Sequence, residues 1–292
     1  MTSTLPDTAI AAANNGPFIN VYHQQTDGSI VEHTWRQRSN GSWTWHLSTK
    51  LPVAALKAKF FTPLAASIVV GDDDDDPTEW HVFYIDANSL LCEVYHTAGV
   101  WNDGTLNKLK IEPAQFSKLA MYSDTLYYQS KGGQVQSVTR KDKDWTQNTK
   151  PMTNQVPLLG SSLAAVPGMV FDQSSTCSVE SNDGSAAAVT AITTASPHTS
   201  LAAVSDGDYS AVFYTSNASR LRQQYTKKST SETRSGEVSS ITPRSDIAAV
   251  RDKPSDGDAD VIRVFFQKDS GDKITEYEYT EVHGWKDLGK IA

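Results

Sequence analysis

One short pattern recurs six times along this chain, and no other feature constrains the fold as tightly. Segments of small residues appear at AIAAA (9–13), LAAS (64–67), KLAMY (118–122), LAAV (163–166), LAAV (201–204) and IAAV (247–250), with starts 38 to 55 residues apart. That spacing suits a four-stranded propeller blade. Strands of small residues fit the innermost position of such a blade, where all the units crowd around one axis.

A second segment follows each of these: INVYHQ (19–24), WHVFYI (80–85), DTLYYQ (124–129), GMVFDQ (168–173), SAVFYT (210–215) and IRVFFQ (262–267). Their aromatic and β-branched residues in alternation predict strands with two distinct faces. Third strands are expected at SIVEHTW (29–35), LLCEVY (90–95), QVQSVT (134–139), CSVES (177–181), RLRQQY (220–225) and KITEYEY (273–279). Turn chemistry precedes several of them, as in Asp27-Gly28, Gly132-Gly133 and Gly271-Asp272. Tryptophans follow near the expected outer strand: Trp43 and Trp45, Trp101, Trp145 and Trp285.

The phase of the repeat is constant. Asn20, His81, Thr125, Met169 and Ala211 are each followed 12 residues on by Glu32, Glu93, Ser137, Ser181 and Gln223, and Arg263 is followed 13 on by Glu276. A slip of one residue would turn every side chain of a strand to the wrong face, so fixed spacing implies a fixed hairpin register. With no helical periodicity, the expected fold is all-β: a six-bladed β-propeller of four-stranded antiparallel blades, forming one domain over residues 1–292.

Composition then limits function. At 38% hydrophobic and 21% charged residues the chain can build a core, and its formal net charge of −8 argues against nucleic acid or an anionic membrane as partner. Its first residues, MTSTLPDTAIAAANN, do not read as a secretory leader, and two cysteines, Cys92 and Cys177, make no disulfide framework. Both cysteines are expected as reduced side chains in strands, and the protein is expected in the cytoplasm. The sequons at Asn40 and Asn217 then read as hairpin turns. The run Asp72 to Asp76 lacks the glycine and the spaced glutamate of a calcium loop, and reads as a solvated connection. No nucleophile elbow, zinc motif or phosphate loop is present. Glu32 and Glu93 occupy equivalent repeat positions, which explains them without glycosidase chemistry. Neither a metal nor a cofactor is expected.

The pattern IAAV…IRVFFQ…ITEYEY…W resembles the fungal fucose-specific lectin family over nearly the whole chain. The resemblance implies six blades with L-fucose sites in the clefts between them. Each site would use an Arg and a Glu on sugar hydroxyls and an aromatic ring on the apolar face of the sugar. Only the sixth unit keeps both polar members, Arg263 and Glu276, with Trp285 as the expected aromatic. Elsewhere Asn20, His81, Thr125, Met169 and Ala211 replace the arginine, and a guanidinium fork has no substitute among them.

Three functions follow as expectations. A degenerate lectin would bind a fucosylated glycan through about one intact site. The favoured alternative is a scaffold turned to apolar small molecules. The fold is similar to that of fungal biosynthetic proteins that promote hetero-Diels–Alder coupling of a quinone methide with a terpene, as in tropolone sesquiterpenoid formation. Orientation and hydrogen-bond donors suffice for such a cofactor-free pericyclase. Its expected participants are Trp80, His81 and Tyr84 from the second unit and Tyr127 and Tyr128 from the third. The third reading is a non-catalytic interaction scaffold. Propeller surfaces often pair, so a homodimer is compatible with each.

Overall fold

The computed structural model describes residues 3–16, 18–37, 43–51, 58–71, 78–153, 155–183, 189–227, 229–252, 261–268 and 273–291. The Asp72 to Asp76 run, the Asn40 sequon and the Gly271-Asp272 turn lie outside them. Six four-stranded sheets follow one another, each with its strands paired antiparallel in chain order. They span residues 10–50, 65–103, 119–147, 164–192, 201–240 and 247–290, and are called blades one to six. The sole helix among the described residues is a 3-10 turn at Thr105–Leu109.

The small-residue segments are the inner strands: Ile10–Asn14, Ala65–Val69, Leu119–Tyr122, Ala164–Val166, Leu201–Ser205 and Ile247–Asp252. Ala11, Ala65, Ala120, Ala164, Ala202 and Ala248, one from each, line a common axial channel. Alanine is required by the crowding there, since a larger side chain from six directions would have nowhere to go. Each inner strand touches the next, and that of blade six meets that of blade one, which closes the ring.

The hairpin register holds throughout. Tyr22 faces Glu32, Phe83 faces Glu93, Tyr127 faces Ser137, Phe171 faces Ser181, Phe213 faces Gln223 and Phe265 faces Glu276. The extra residue in the last blade therefore sits in its hairpin loop and leaves the ladder in phase. Apolar packing is divided in the same way, into six buried clusters, each at a junction between neighbouring blades.

A second repeat accompanies the first. A hydroxyl two or three residues before each inner strand accepts a hydrogen bond from a backbone N–H at or near the end of the second strand. The acceptors are Thr8, Thr62, Ser117, Ser161, Thr199 and Ser245, at 2.7–2.9 Å. In four blades a glutamine at that strand end also reaches the connection of the next blade. Gln24 donates to the Lys59 carbonyl, Gln129 to that of Leu158, Gln173 to that of Ser196 and Gln267 to that of Leu5. The last of these bonds spans the ring closure.

The Asn217 sequon is a hairpin turn and Cys92 lies in a strand, as expected. Cys177 does not: it occupies the turn before Val179–Asn182 with φ of 65°. The turn closes through the Cys177 N–H donating to the Ser174 carbonyl, so pairing begins two residues later than the sequence pattern suggested. No helix among the described residues is long and apolar enough to cross a membrane.

Candidate functional site

Each blade presents the Arg/Glu positions on the face toward the following blade. The opposite wall of every cleft therefore comes from the outer half of that next blade. This decides which aromatic ring meets which polar pair.

Between blades six and one, Arg263 Nη1 bonds Glu276 Oε1 and Arg263 Nη2 lies 3.0 Å from Glu278 Oε2. Trp45 of blade one crosses the cleft and donates from Nε1 to Glu276 Oε2 at 2.7 Å, while its ring packs edge-on against Phe265. The guanidinium lies 5.2 Å from the ring centre of Trp35, also of blade one. Glu276 is almost wholly buried, and that burial raises its carboxyl pKa against the opposing pull of Arg263. Arg263 Nε is buried without a partner among the described residues. One guanidinium, two carboxylates and two indoles thus converge from both sides of one junction.

Trp285, expected beside this pair, lies elsewhere. It pairs with Tyr279 and so projects from the face of blade six opposite to Arg263 and Glu276. There it packs edge-on against Phe213 of blade five at 5.8 Å. Sequence proximity misled because the ring that completes Glu276 is 231 residues away, across the closure.

The cleft between blades two and three keeps the same indole contact with different chemistry around it. Trp145 Nε1 donates to Glu93 Oε2 at 2.9 Å, and its ring packs edge-on against Phe83. At the arginine position, His81 is held between two carboxylates, Nδ1 at 2.8 Å from Glu93 Oε1 and Nε2 at 3.1 Å from Glu79 Oε2. The guanidinium now comes from the other wall, Arg140 Nη2 at 2.7 Å from Glu79 Oε2. Glu93 also accepts from the Leu106 N–H, and a side chain at Gly104 would collide with its carboxylate at 2.1 Å. Glu93 is therefore consumed by the fold, beside a small cavity of about 60 Å³.

In the remaining clefts no arginine stands at the arginine position. Asn20 donates to Glu32 at 2.8 Å between blades one and two. Ser137 is bonded by Asn148 at 2.8 Å, and Thr125 lies 3.2 Å from the Thr139 hydroxyl, between blades three and four. Met169 packs into the apolar cluster between blades four and five. Between blades five and six, Ala211 and Gln223 leave a cavity of about 200 Å³ whose lining includes Tyr209, Tyr225, Tyr279 and Ile262.

The five aromatic and histidine candidates do not meet around one cavity. Strand alternation puts Trp80 and His81 on opposite faces of blade two. Tyr84 is buried in the cluster between blades one and two, Tyr128 in that between two and three, and Tyr127 in that between three and four. His81 lines the small cavity beside Glu93. Among the described residues no three His, Cys, Asp or Glu side chains are grouped as a metal site would need.

The family model described as fungal fucose-specific lectin matches residues 4–180. The chain belongs to that family. No curated protein sequence matches it. Among solved structures, Aleuria aurantia lectin in complex with alpha-methyl-L-fucoside is similar at 21% identity and a TM-score of 0.80, over 99% of this chain and 97% of that one. AofleA from Arthrobotrys oligospora is similar at 20% identity and a TM-score of 0.78, over 98% and 88%. BP39L lectin from Burkholderia pseudomallei, at 14% identity and a TM-score of 0.64, covers 99% and 100%. At these identities the likeness establishes the propeller fold of this fungal fucose-specific lectin relative and leaves its ligand to its own residues.

Proposed function

We propose that this fungal fucose-specific lectin family member binds a fucosylated glycan in the cleft between blades six and one. The observation that carries the reading is the convergence of Arg263, Glu276 and Trp45 from two blades on one point. In this role the guanidinium donates to a sugar hydroxyl and the Glu276 carboxylate accepts from another. An indole of blade one covers the apolar face of the ring. Each charge-assisted bond contributes roughly 1.5–3 kcal/mol. Loss of the guanidinium would then weaken binding on the order of tenfold to a hundredfold. Titration calorimetry with alpha-methyl-L-fucoside tests this: affinity should fall tenfold or more in Arg263→Ala, with the fold of the variant checked by circular dichroism because the buried Glu276 loses its ion-pair partner and the melting temperature falls. Unaltered affinity in that variant would refute the assignment.

A second reading, an apolar small-molecule site, is favoured by the cavity between blades five and six. Three tyrosines and Ile262 there suit a flat apolar reactant, and phenolic hydroxyls supply the donors that a growing oxyanion needs. If hetero-Diels–Alder coupling is the activity, its locus is this cavity and not the set Trp80, His81, Tyr84, Tyr127 and Tyr128. Incubation with a quinone methide precursor and humulene should then give a stereochemically enriched adduct, which Ala211→Trp would abolish. A racemic adduct at the rate seen without protein would rule the activity out.

A further inference from the structure

The turns that lead into the inner strands repeat as well, and half of them are unlike the rest. Each closes through the N–H of the buried Ser or Thr, which donates to the carbonyl three residues back at 2.9–3.2 Å. The tips between are Pro6-Asp7, Phe60-Phe61, Gln115-Phe116, Leu159-Gly160, Pro197-His198 and Pro243-Arg244. All six stand at one end of the ring, because strands alternate in direction and the chain passes between blades only there. Three tips pair a proline with a polar residue. Those entering blades two, three and four instead expose Phe60, Phe61, Phe116 and Leu159 by 40–57%. Phe61 holds left-handed backbone, with φ of 56°, where the equivalent residues are Asp7, Gly160, His198 and Arg244. That conformation disfavours a bulky ring, and strain of this kind gathers at sites of function.

The apolar tips form one crescent. Lys59 Nζ donates to the Gln115 carbonyl at 3.0 Å, which ties the tip of blade two to that of blade three. Phe116 lies against Gly160, where an added Cβ would stand 3.5 Å from its own, and Leu159 is the next residue. Lys59 and Lys118 stand within the crescent, and burial together with the neighbouring Lys118 lowers the Lys59 pKa. Among the described residues the lysines in ion pairs are Lys50, Lys131 and Lys268, so neither crescent ammonium has a carboxylate partner among them. At the opposite end the described turns carry Asp124, Asp142, Asp206, Asp208 and Glu281 against Lys143. The net charge of −8 thus conceals a polarity along the axis. Second strands of five to seven residues separate the two ends by about 16 Å or more, beyond the screening length of about 8 Å at physiological salt.

We propose that this crescent docks on an anionic membrane surface, with the phenylalanine rings seated among the headgroups and Lys59 and Lys118 on their negative charges. Lysine suits that place, since its stem lies along apolar surface while the ammonium stays at headgroup level. A second copy of this chain packed on the same face would crowd these lysines together in an isologous interface, where like charges repel. Lysine is also depleted from protein interfaces in general. The acidic end points away from the membrane and is screened from it, so the net charge does not prevent approach. This surface is separate from the Arg263 cleft and does not depend on it.

Co-sedimentation of the full chain with vesicles tests this, using phosphatidylcholine alone and phosphatidylcholine with one part in three phosphatidylserine. Partition onto the serine vesicles should exceed that onto phosphatidylcholine at least fivefold. It should fall at least fivefold between about 0.05 and about 0.5 M salt. Phe60→Ser/Phe61→Asn, in which asparagine accepts the left-handed backbone, should weaken it tenfold or more. Lys59→Gln/Lys118→Gln should bring the serine vesicles down to the level of phosphatidylcholine. None of these side chains belongs to the core, so circular dichroism of both variants should match the wild type. Alpha-methyl-L-fucoside binding should be unchanged in both, and Arg263→Ala should leave partition unaffected. No partition onto serine vesicles, equal partition onto the two compositions, or full binding by the phenylalanine variant would overturn the proposal. So would a lipid-free dimer in sedimentation velocity that dissociates in Phe60→Ser/Phe61→Asn, because a second copy would then cover the crescent.

Discussion

Arg263 shows how far single residues could be read. The resemblance to the fucose-specific lectins singled out Arg263 and Glu276, and the structure joins them. Trp45 could not be assigned to them, because a contact across the ring closure leaves no local spacing to find. Arg140 in the blade-three wall escaped notice for the same reason: it serves Glu79, a residue of the preceding blade. Asp172 carried no sequence signal at all, yet burial and the nearby Glu180 raise its pKa to about 7. A carboxyl held above its ordinary 3.8 favours folding most at low pH. That contribution is lost as pH rises from about 4 to about 7. Asp172→Asn, which keeps the volume and drops the charge, should raise stability at pH 8 by about 1–3 kcal/mol and have little effect at pH 4. Urea unfolding at both pH values checks this, and equal effects at the two would contradict it.

At the scale of elements, strand existence and hairpin phase were legible because period-two alternation is imposed by the pleat itself. The hydroxyls of Thr8, Thr62, Ser117, Ser161, Thr199 and Ser245 form an equally regular series that went unread. Ser and Thr are common enough that their recurrence carried little information until the backbone N–H groups they serve were seen. Thr62 is fully buried, accepts from the Ile85 N–H at 2.8 Å and donates to its carbonyl at 2.9 Å. Thr62→Val preserves shape and strips both bonds, so a loss of about 1–3 kcal/mol is expected. Chemical denaturation measures it, and a change below about 0.5 kcal/mol would mean that the series is incidental.

The whole molecule depends on one junction that the chain does not connect covalently, that between blades six and one. Beside its apolar cluster lie His23 and His33, stacked with ring centres 5.1 Å apart and Nε2 atoms 3.0 Å apart. Burial lowers the pKa of His23 from 6.5 to about 3, helped by His33, and lowers that of His33 to about 4. Histidines held neutral in the fold stabilise it fully above about pH 6.5, and that stability drains away as pH falls toward 4. At pH 5 the loss is about 2 kcal/mol for each ring. A His23→Phe/His33→Leu variant should therefore unfold with a flatter pH profile between 7 and 5, as thermal melts across that range would show. A profile as steep as wild type would place the acid sensitivity elsewhere. Six-fold closure was predictable from the repeat, but the degeneration of its clefts into distinct chemistries became interpretable only once each wall had its partner.

The central claim is that, of six related clefts, a single one retains the means to hold fucose. The stoichiometry of alpha-methyl-L-fucoside binding to the intact chain, measured by titration calorimetry at saturating protein, tests it most directly. One sugar per chain, absent in Arg263→Ala, is the predicted result. Two or more sugars per chain, or one that persists without the Arg263 guanidinium, would contradict it.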